Sequence, residues 1–184
     1  MKKLYYLSIA FILSIPYIMF KTDIPGNIWM YGKTIVDDSL TESRVEKAYD
    51  ELPFNVKKML EDNEYRIYIV EEIDNNELIV GQTIYNCRII LIKDRYSGVE
   101  KTLFHECGHV VDDEGALTFL SSSDEFMEIY EEERYYFKAE DNWEYYISTP
   151  KEYFASAFAE YMLNPERLKE NTPKTYEYIH RHII

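Results

Sequence analysis

The chain has 184 residues, which corresponds to one compact domain with room for a leader. Hydrophobic residues make up 46% and charged residues 29% of the sequence, which excludes wholesale disorder. The 34 acidic residues exceed the 20 basic ones and give a net charge of −14, which argues against a nucleic-acid-binding protein and against adhesion to an anionic membrane surface. Two cysteines are too few for a disulfide scaffold or a cysteine-rich zinc finger.

Residues 1–20 have the pattern of an export signal, with an initial pair of lysines followed by a mostly apolar run over 4–20. As a helix, the apolar run over 4–20 would span about 25 Å, which is marginal for a hydrocarbon core of roughly 30 Å. A cleaved signal peptide and a retained N-terminal membrane anchor are therefore both open. In either case we expect a secreted or membrane-anchored protein outside the cytoplasm. Residues 21–40 are expected to be a linker or irregular strand, and 41–184 the folded domain, which is expected to be monomeric.

Hydrophobic periodicity predicts strands that precede most of the helices along the chain. The predicted elements are two helices over 41–60 separated at Pro53, a strand over 65–70, an undecided stretch over 78–81, a strand over 83–92, and helices over 97–113, 124–139, 150–163 and 173–182. Because strands and helices are segregated rather than alternating, the order favours an α+β fold.

The motif with the clearest chemistry is the HExxH sequence His-Glu-Cys-Gly-His at residues 105–109. Histidines four residues apart lie on one face of a helix, so His105 and His109 can bind the same zinc ion. Glu106 is then placed to take a proton from a zinc-bound water. The motif lies within an apolar run, where an unpaired His–Glu–His trio would be costly, and this favours a metal site over a solvated charged helix.

A catalytic zinc site needs a third protein ligand and an open fourth position. Gly115 occupies the position of the third histidine in astacin-like enzymes, which excludes that class. Glu152 is the better candidate, because small residues share its helix face and allow that helix to approach the first one closely. Thr149 and Glu152 also form a capping box, which is the structural alternative for Glu152. Glu160 is the alternative ligand.

Three further features have structural interpretations. Asp112 and Asp113 follow the motif by about one turn and are expected to hydrogen-bond a ligand imidazole. Cys107 is expected to be a buried free thiol, with a disulfide to Cys87 as the alternative. The acidic run at 131–133 is expected to be a solvated helix face.

Three sequence blocks together resemble a known family. They are FHECGHVVDD at 104–113, EYFASAF at 152–158 and TPKTYEYI at 172–179. They are similar to the catalytic domain of anthrax lethal factor and to its smaller secreted relatives, which include the Pro-Pro endopeptidases of Gram-positive bacteria. Many zinc peptidases share HExxH, whereas the two downstream blocks are specific to this family. The resemblance is good over 99–113 and 141–183 and weaker over 40–98.

The resemblance implies a functional site residue by residue. One catalytic zinc ion would have His105, His109 and Glu152 as its protein ligands. The general base would be Glu106, and the phenol of Tyr145 would donate a hydrogen bond to the developing oxyanion. A one-residue insertion would exchange Tyr145 for its neighbour Tyr146.

The resemblance also implies a thermolysin-like zincin of the gluzincin class. This α+β fold has a small mixed sheet whose edge strand, here 83–92, lies over the HExxH helix and pairs with an extended peptide, followed by a helical C-terminal half. The loop over 114–123 is expected to border the substrate cleft. The predicted function is that of a zinc metalloendopeptidase acting on a peptide or protein substrate, with proline-rich segments suggested by the relatives alone. A non-catalytic peptide-binding module is the alternative, but it would need neither Glu106 nor Tyr145.

Overall fold

The structure is a computed structural model that describes residues 28–30, 39–94, 97–115, 118–137 and 143–184, apart from the side chains of 28–30, 39 and 143. The described residues form an α+β protein with one small sheet and a mainly helical second half, as predicted. The predicted leader at 1–20 and most of the segment at 21–40 lie outside the described residues. None of the described helices has both the length and the apolar character that crossing a membrane requires.

The sheet has four strands in the spatial order β1-β2-β4-β3. They are β1 (Ile28–Met30), β2 (Arg66–Val70), β3 (Gly81–Ile84) and β4 (Ile89–Lys93). Strands β1, β2 and β4 are parallel, whereas β3 is antiparallel to β4, with Thr83 opposite Ile90. The predicted mixed sheet is therefore confirmed, and β3 is an edge strand of the sheet as far as the described residues show.

The single strand predicted over 83–92 is wrong, because these residues form a hairpin. A 3-10 turn at Tyr85–Cys87 separates β3 from β4, and Arg88 follows it in the left-handed conformation, with a φ of 55°. The turn contains neither Gly nor Pro, and its residues continue the alternation of apolar and polar side chains, which conceals the reversal. Of the two strands of this hairpin, only β3 lies at an edge of the sheet, while β4 lies inside it and buries Ile90 and Ile92.

The described residues also form eight α-helices, and Pro53 separates the first two as predicted. They are α1 (Ser39–Glu51), α2 (Phe54–Asp62), α3 (Val99–Glu114), α4 (Asp124–Glu133), α5 (Trp143–Tyr146), α6 (Pro150–Leu163), α7 (Pro165–Asn171) and α8 (Pro173–Ile183). The helix predicted over 124–139 is too long, because the chain leaves α4 through a 3-10 turn and buries Phe137 against the ring of Tyr153. The short helices α5 and α7 were not predicted.

The sequence suggested that the acidic run at 131–133 is a solvated helix face, but only part of the run is exposed. Glu131 and Glu132 are exposed and form ion pairs with Arg134 and Lys174, respectively. Glu133 is buried, and its carboxylate accepts hydrogen bonds from backbone N–H groups of the first turn of α8, including that of Thr175 at 2.8 Å. A carboxylate at a helix N-terminus satisfies N–H groups that have no partner within the helix.

Helices α3 and α6 form the most extensive contact between described elements, and this contact brings the HExxH motif next to Glu152. The close approach depends on Gly108. A Cβ atom at this position would lie 2.8 Å from the Cα atom and 3.0 Å from the backbone oxygen of Ala155. Because both of these atoms belong to the backbone of α6, a larger residue could be accommodated only by separating the helices.

Gly108→Ala is expected to lower the free energy of unfolding by about 1–3 kcal/mol, the usual cost of overpacking a core. Alanine is intrinsically favoured over glycine within a helix by about 1 kcal/mol, so a net loss would isolate the packing effect. Urea denaturation followed by circular dichroism measures the change. The exposed Lys47→Ala in α1 serves as the control and should stay within about 0.5 kcal/mol of the parent. A Gly108→Ala protein as stable as the parent would contradict the close approach.

Candidate metal centre

The three predicted ligands come together where α3 meets α6. His105 and His109 lie one turn apart on α3, and Glu152 is the third residue of α6. One ligand atom from each residue can be chosen such that all three lie within 4.8 Å of one another. The Nε2 atom of His105 is 3.2 Å from Oε2 of Glu152, and the Nε2 atom of His109 is 3.7 Å from Oε1. Two imidazoles and one carboxylate therefore converge from separate helices.

The chemistry of this cluster fits a divalent cation. The Oε2 atom of Glu152 is buried and has no hydrogen-bond partner among the described residues. Burial opposes ionisation of Glu152, but the close approach of His105 and the electrostatic influence of the two neighbouring imidazoles outweigh burial and lower the pKa of this carboxyl group. Burial, together with the neighbouring His105, lowers the pKa of His109 to about 3 and keeps its imidazole neutral. An ionised carboxylate and neutral imidazoles are the forms in which these side chains bind metal.

Glu106 is buried beside these ligands under the edge strand β3. Its Oε2 atom accepts a 2.8 Å hydrogen bond from Oγ1 of Thr83, which also lies 3.1 Å from the backbone oxygen of Glu106. A Cβ atom at Gly81 would lie only 2.6 Å from Oε1 of the same carboxylate. Burial raises the pKa of Glu106. The edge strand thus both leaves room for the predicted base and orients it.

Gly81 and Thr83 were not recognised as site residues from the sequence. The available signal was their spacing, because residues two apart in a strand face the same side. A glycine within a strand also indicates a close approach by another group. What the sequence does not show is which group approaches.

The prediction that Asp112 supports a ligand histidine is wrong. Its buried carboxylate accepts hydrogen bonds from the backbone N–H of Ser121 at 2.6 Å and from the hydroxyl of the same residue at 2.8 Å. Within the described residues, the Nδ1 atom of His109 has no hydrogen-bond partner. The Nδ1 atom of His105 instead lies 3.3 Å from Oγ of Ser156, one turn after Glu152 on α6. From the sequence, Ser156 is only one of the small residues that share the helix face of Glu152.

Asp112→Asn is expected to remove part of the pH dependence of stability. Burial raises the pKa of Asp112 from 3.8 to about 6, although hydrogen bonds from Ser121 oppose the rise. A carboxyl group with a raised pKa in the folded state stabilises the fold fully below pH 3.8 and loses that contribution as the pH rises through about 6. The corresponding loss is about 3 kcal/mol at most. Asparagine can keep both contacts with Ser121 but does not ionise.

The measurement is urea denaturation of the parent and of Asp112→Asn at intervals between pH 4 and pH 8. Titrations common to both proteins cancel in the difference between the two stability curves. The variant should gain stability relative to the parent as the pH rises from about 4 to about 6, with no further change above that range. A difference that does not vary with pH would show that Asp112 ionises normally in the folded protein.

The two neighbouring tyrosines have different surroundings. Tyr145 on α5 is 56% exposed, and partial burial raises its pKa, as do the charge of Glu152 and a hydrogen bond to it. The half-buried Tyr146 ring lies with its centroid 6.1 Å from that of His105, and the ammonium group of Lys101 lies 4.8 Å from the centre of the Tyr146 ring. Tyr145 is therefore the tyrosine whose phenol approaches the metal cluster, whereas Tyr146 packs against a ligand.

The alternative ligand Glu160 does not join the cluster. The guanidinium group of Arg167 binds both of its carboxylate oxygens, at 2.5 and 2.8 Å. The cysteines are both free, with Cys87 exposed and Cys107 buried, so the structure agrees with the predicted buried thiol rather than with the disulfide. Burial raises the pKa of Cys107 well above its usual value.

An α+β fold in which two packed helices supply two histidines and one glutamate defines a protein with a candidate mononuclear metal centre. Residues 80–182 match the family described as anthrax toxin lethal factor, N- and C-terminal domain, and the chain belongs to this family. The resemblance drawn from the three sequence blocks is thereby confirmed. No curated protein matches the chain.

Among solved structures, the Pro-Pro endopeptidase from Paenibacillus alvei is similar to this chain, with a TM-score of 0.67. The match covers 84% of this chain and 96% of the other, at 20% sequence identity. Likeness at this level of identity shows a shared fold. It agrees with the predicted family, whose members include the Pro-Pro endopeptidases.

Proposed function

We propose that the protein is a zinc metalloendopeptidase that acts outside the cytoplasm on an extended peptide segment. The observation that carries the proposal is the convergence of His105, His109 and Glu152 beside a buried, oriented Glu106. The fold would then be that of a thermolysin-like zincin, with 41–184 as the peptidase domain. The apolar leader pattern at 1–20 supports export, and membership of the lethal factor family supports zinc as the metal.

Each site residue has a distinct task in peptide hydrolysis. His105, His109 and Glu152 would hold the zinc ion, which would supply Lewis acidity toward a water and toward the peptide carbonyl. The carboxylate of Glu106 takes the proton from the attacking water and delivers it to the leaving amine, and the hydroxyl of Thr83 keeps this carboxylate in place. The phenol of Tyr145 donates a hydrogen bond to the oxyanion that forms at the carbonyl.

The edge strand β3 supports an extended substrate. Backbone groups of an edge strand can pair with an added peptide strand, which would then lie directly over Glu106. Proline-containing peptides are the first substrates to test, because a Pro-Pro endopeptidase shares the fold. A large acidic excess in the chain gives no further indication of the substrate.

The test incubates the purified, zinc-loaded protein with a mixed peptide library and identifies the products by mass spectrometry. A second sample contains a chelator, and the metal content is measured in parallel. Cleavage that needs the metal, at defined sequences, is the expected result and would also reveal any requirement for proline. A protein that binds one zinc ion yet cleaves no peptide would favour the non-catalytic binding module.

A further inference from the structure

The ammonium group of Lys151 is held by two aromatic rings. Its Nζ atom lies 4.2 Å from the centre of the Tyr85 ring and 4.5 Å from that of the Phe119 ring. The two rings meet edge to face, with their centroids 6.0 Å apart. Attraction between a cation and the faces of aromatic rings holds such an amine at a defined position. We refer to Lys151, Tyr85 and Phe119 as the Lys151 cluster.

The Lys151 cluster joins the edge strand to the helix that carries the third ligand. Lys151 immediately precedes Glu152 in the first turn of α6, and Tyr85 immediately follows β3. Thr83, the strand residue that contacts Glu106, is two residues before Tyr85, a separation of roughly 6–7 Å at strand spacing. A peptide lying along β3 over Glu106 would therefore reach the cluster within about two residues.

The charge of Lys151 has no carboxylate partner within the part of the chain that the structure describes. Other lysines of the protein form such pairs, including Lys58 with Asp62. The buried carboxylate of Asp112 accepts hydrogen bonds from Ser121 and interacts electrostatically with Lys151 without forming an ion pair with it. An ammonium group has three N–H donors, so contact with two rings does not satisfy it.

The cluster is also accessible from solvent. Phe119 is 36% exposed, and Lys151 and Tyr85 are half-buried. A positive charge that is positioned by rings, partly removed from water and not engaged in an ion pair can form strong charge-assisted hydrogen bonds with an incoming anion.

We propose that the Lys151 cluster is a subsite for a carboxylate of the substrate, located at the end of β3 where Tyr85 follows the strand. The inference rests on the proposed function and adds to it a preference for substrates that carry a carboxylate. The carboxylate can come from an Asp or Glu side chain within about two residues of the cleaved bond. It can also be the C-terminal carboxylate of a short peptide that ends at the cluster.

The experiment compares matched peptides on four proteins. In one series, Asp or Glu is exchanged for Asn or Gln at each position within three residues of the cut, and in the other a free C-terminus is exchanged for an amide. The proteins are the parent, Lys151→Met, Lys151→Arg and Lys169→Met. Lys169 on α7 is the matched control, because its ammonium group also lies over a ring, 5.0 Å from the centre of Tyr176. Both kcat/KM and zinc content are measured.

The parent is expected to prefer the carboxylate peptide about tenfold at one position, which corresponds to about 1.4 kcal/mol and is at the lower end for a hydrogen bond to a charged group. Lys151→Met should reduce this preference to about onefold, whereas Lys151→Arg and Lys169→Met should retain it. The series in which the preference occurs identifies the source of the carboxylate. An unchanged preference in Lys151→Met, or no preference in the parent, would overturn the inference. An equal loss for every peptide together with lost zinc would also overturn it, because Lys151 would then only position Glu152.

A binding arm separates this inference from the proposed function. The same peptides are titrated against Glu106→Gln and against the double variant Glu106→Gln with Lys151→Met, and dissociation constants are measured. If no peptide is cleaved but carboxylate peptides still bind more tightly through Lys151, the peptidase proposal fails and the subsite stands. If cleavage occurs and neither affinity nor kcat/KM depends on the carboxylate, the subsite fails and the peptidase stands.

Discussion

Replacing Glu106 with glutamine is expected to reduce kcat for peptide cleavage by roughly 10²–10⁴-fold, the contribution of a positioned general base. Glutamine has almost the same shape as glutamate and can still accept the hydrogen bond from Thr83, so the fold should be retained. It cannot take a proton from water at neutral pH. Since Glu106 is not one of the three converging ligands, zinc content should also be retained.

The measurement combines steady-state kinetics on a cleaved library peptide with metal analysis and circular dichroism. Glu128→Gln makes the same chemical change at an exposed position on α4 and should behave like the parent. If Glu106→Gln cleaved at the parental rate while remaining folded and loaded with zinc, the assigned base would be wrong. If it lost its zinc, Glu106 would have to be reassigned as part of the metal site.

Replacing Glu152 with glutamine is expected to weaken zinc binding by more than about 100-fold. Loss of a residue that merely supports a ligand already lowers metal affinity by about 10–100-fold, and loss of a ligand itself should cost more. Glutamine removes the negative charge that faces both histidines and substitutes a poor ligand for zinc. Activity at limiting zinc should fall in parallel, and an excess of zinc should restore part of it.

Competition with a chromophoric chelator measures the zinc affinity directly. Glu160→Gln is the informative control, because Glu160 was the alternative ligand and lies on the same helix. Glutamine at that position can still accept a hydrogen bond from Arg167, and zinc affinity should be unchanged. Loss of zinc in Glu160→Gln but not in Glu152→Gln would reverse the assignment of the third ligand.

The part of the site that could be predicted from the sequence follows from local geometry. The four-residue spacing of His105 and His109 specifies a shared helix face wherever that helix lies. The small residues around Glu152 indicated a helix that another helix could approach, and the clash that a side chain at Gly108 would make with Ala155 shows where the approach occurs. In each case the pattern along one helix contained the relevant information.

Contacts between distant segments were the ones that the sequence could not specify. Asp112 binds Ser121 because the chain after α3 folds back onto the helix. Nothing in the sequence indicates whether a carboxylate one turn from a histidine will bind that histidine or a distant residue such as Ser121. Glu133 caps α8 for the same reason, although an acidic run usually predicts a solvated face. The hairpin was missed because its turn contains neither Gly nor Pro and its residues continue the alternation that is typical of a strand.

By itself, the sequence determined the helices of the site, the HExxH face and an α+β class, since these depend on periodicity and spacing within short segments. The family followed from the resemblance of three sequence blocks to known proteins. Only the tertiary structure decided that β3, and not β4, lies at an edge of the sheet, that Thr83 orients Glu106, and that Lys151 reaches the rings of Tyr85 and Phe119. These contacts join segments far apart in the chain. They depend on how the hairpin and the loops pack against α3 and α6, and no local preference of the backbone encodes that packing.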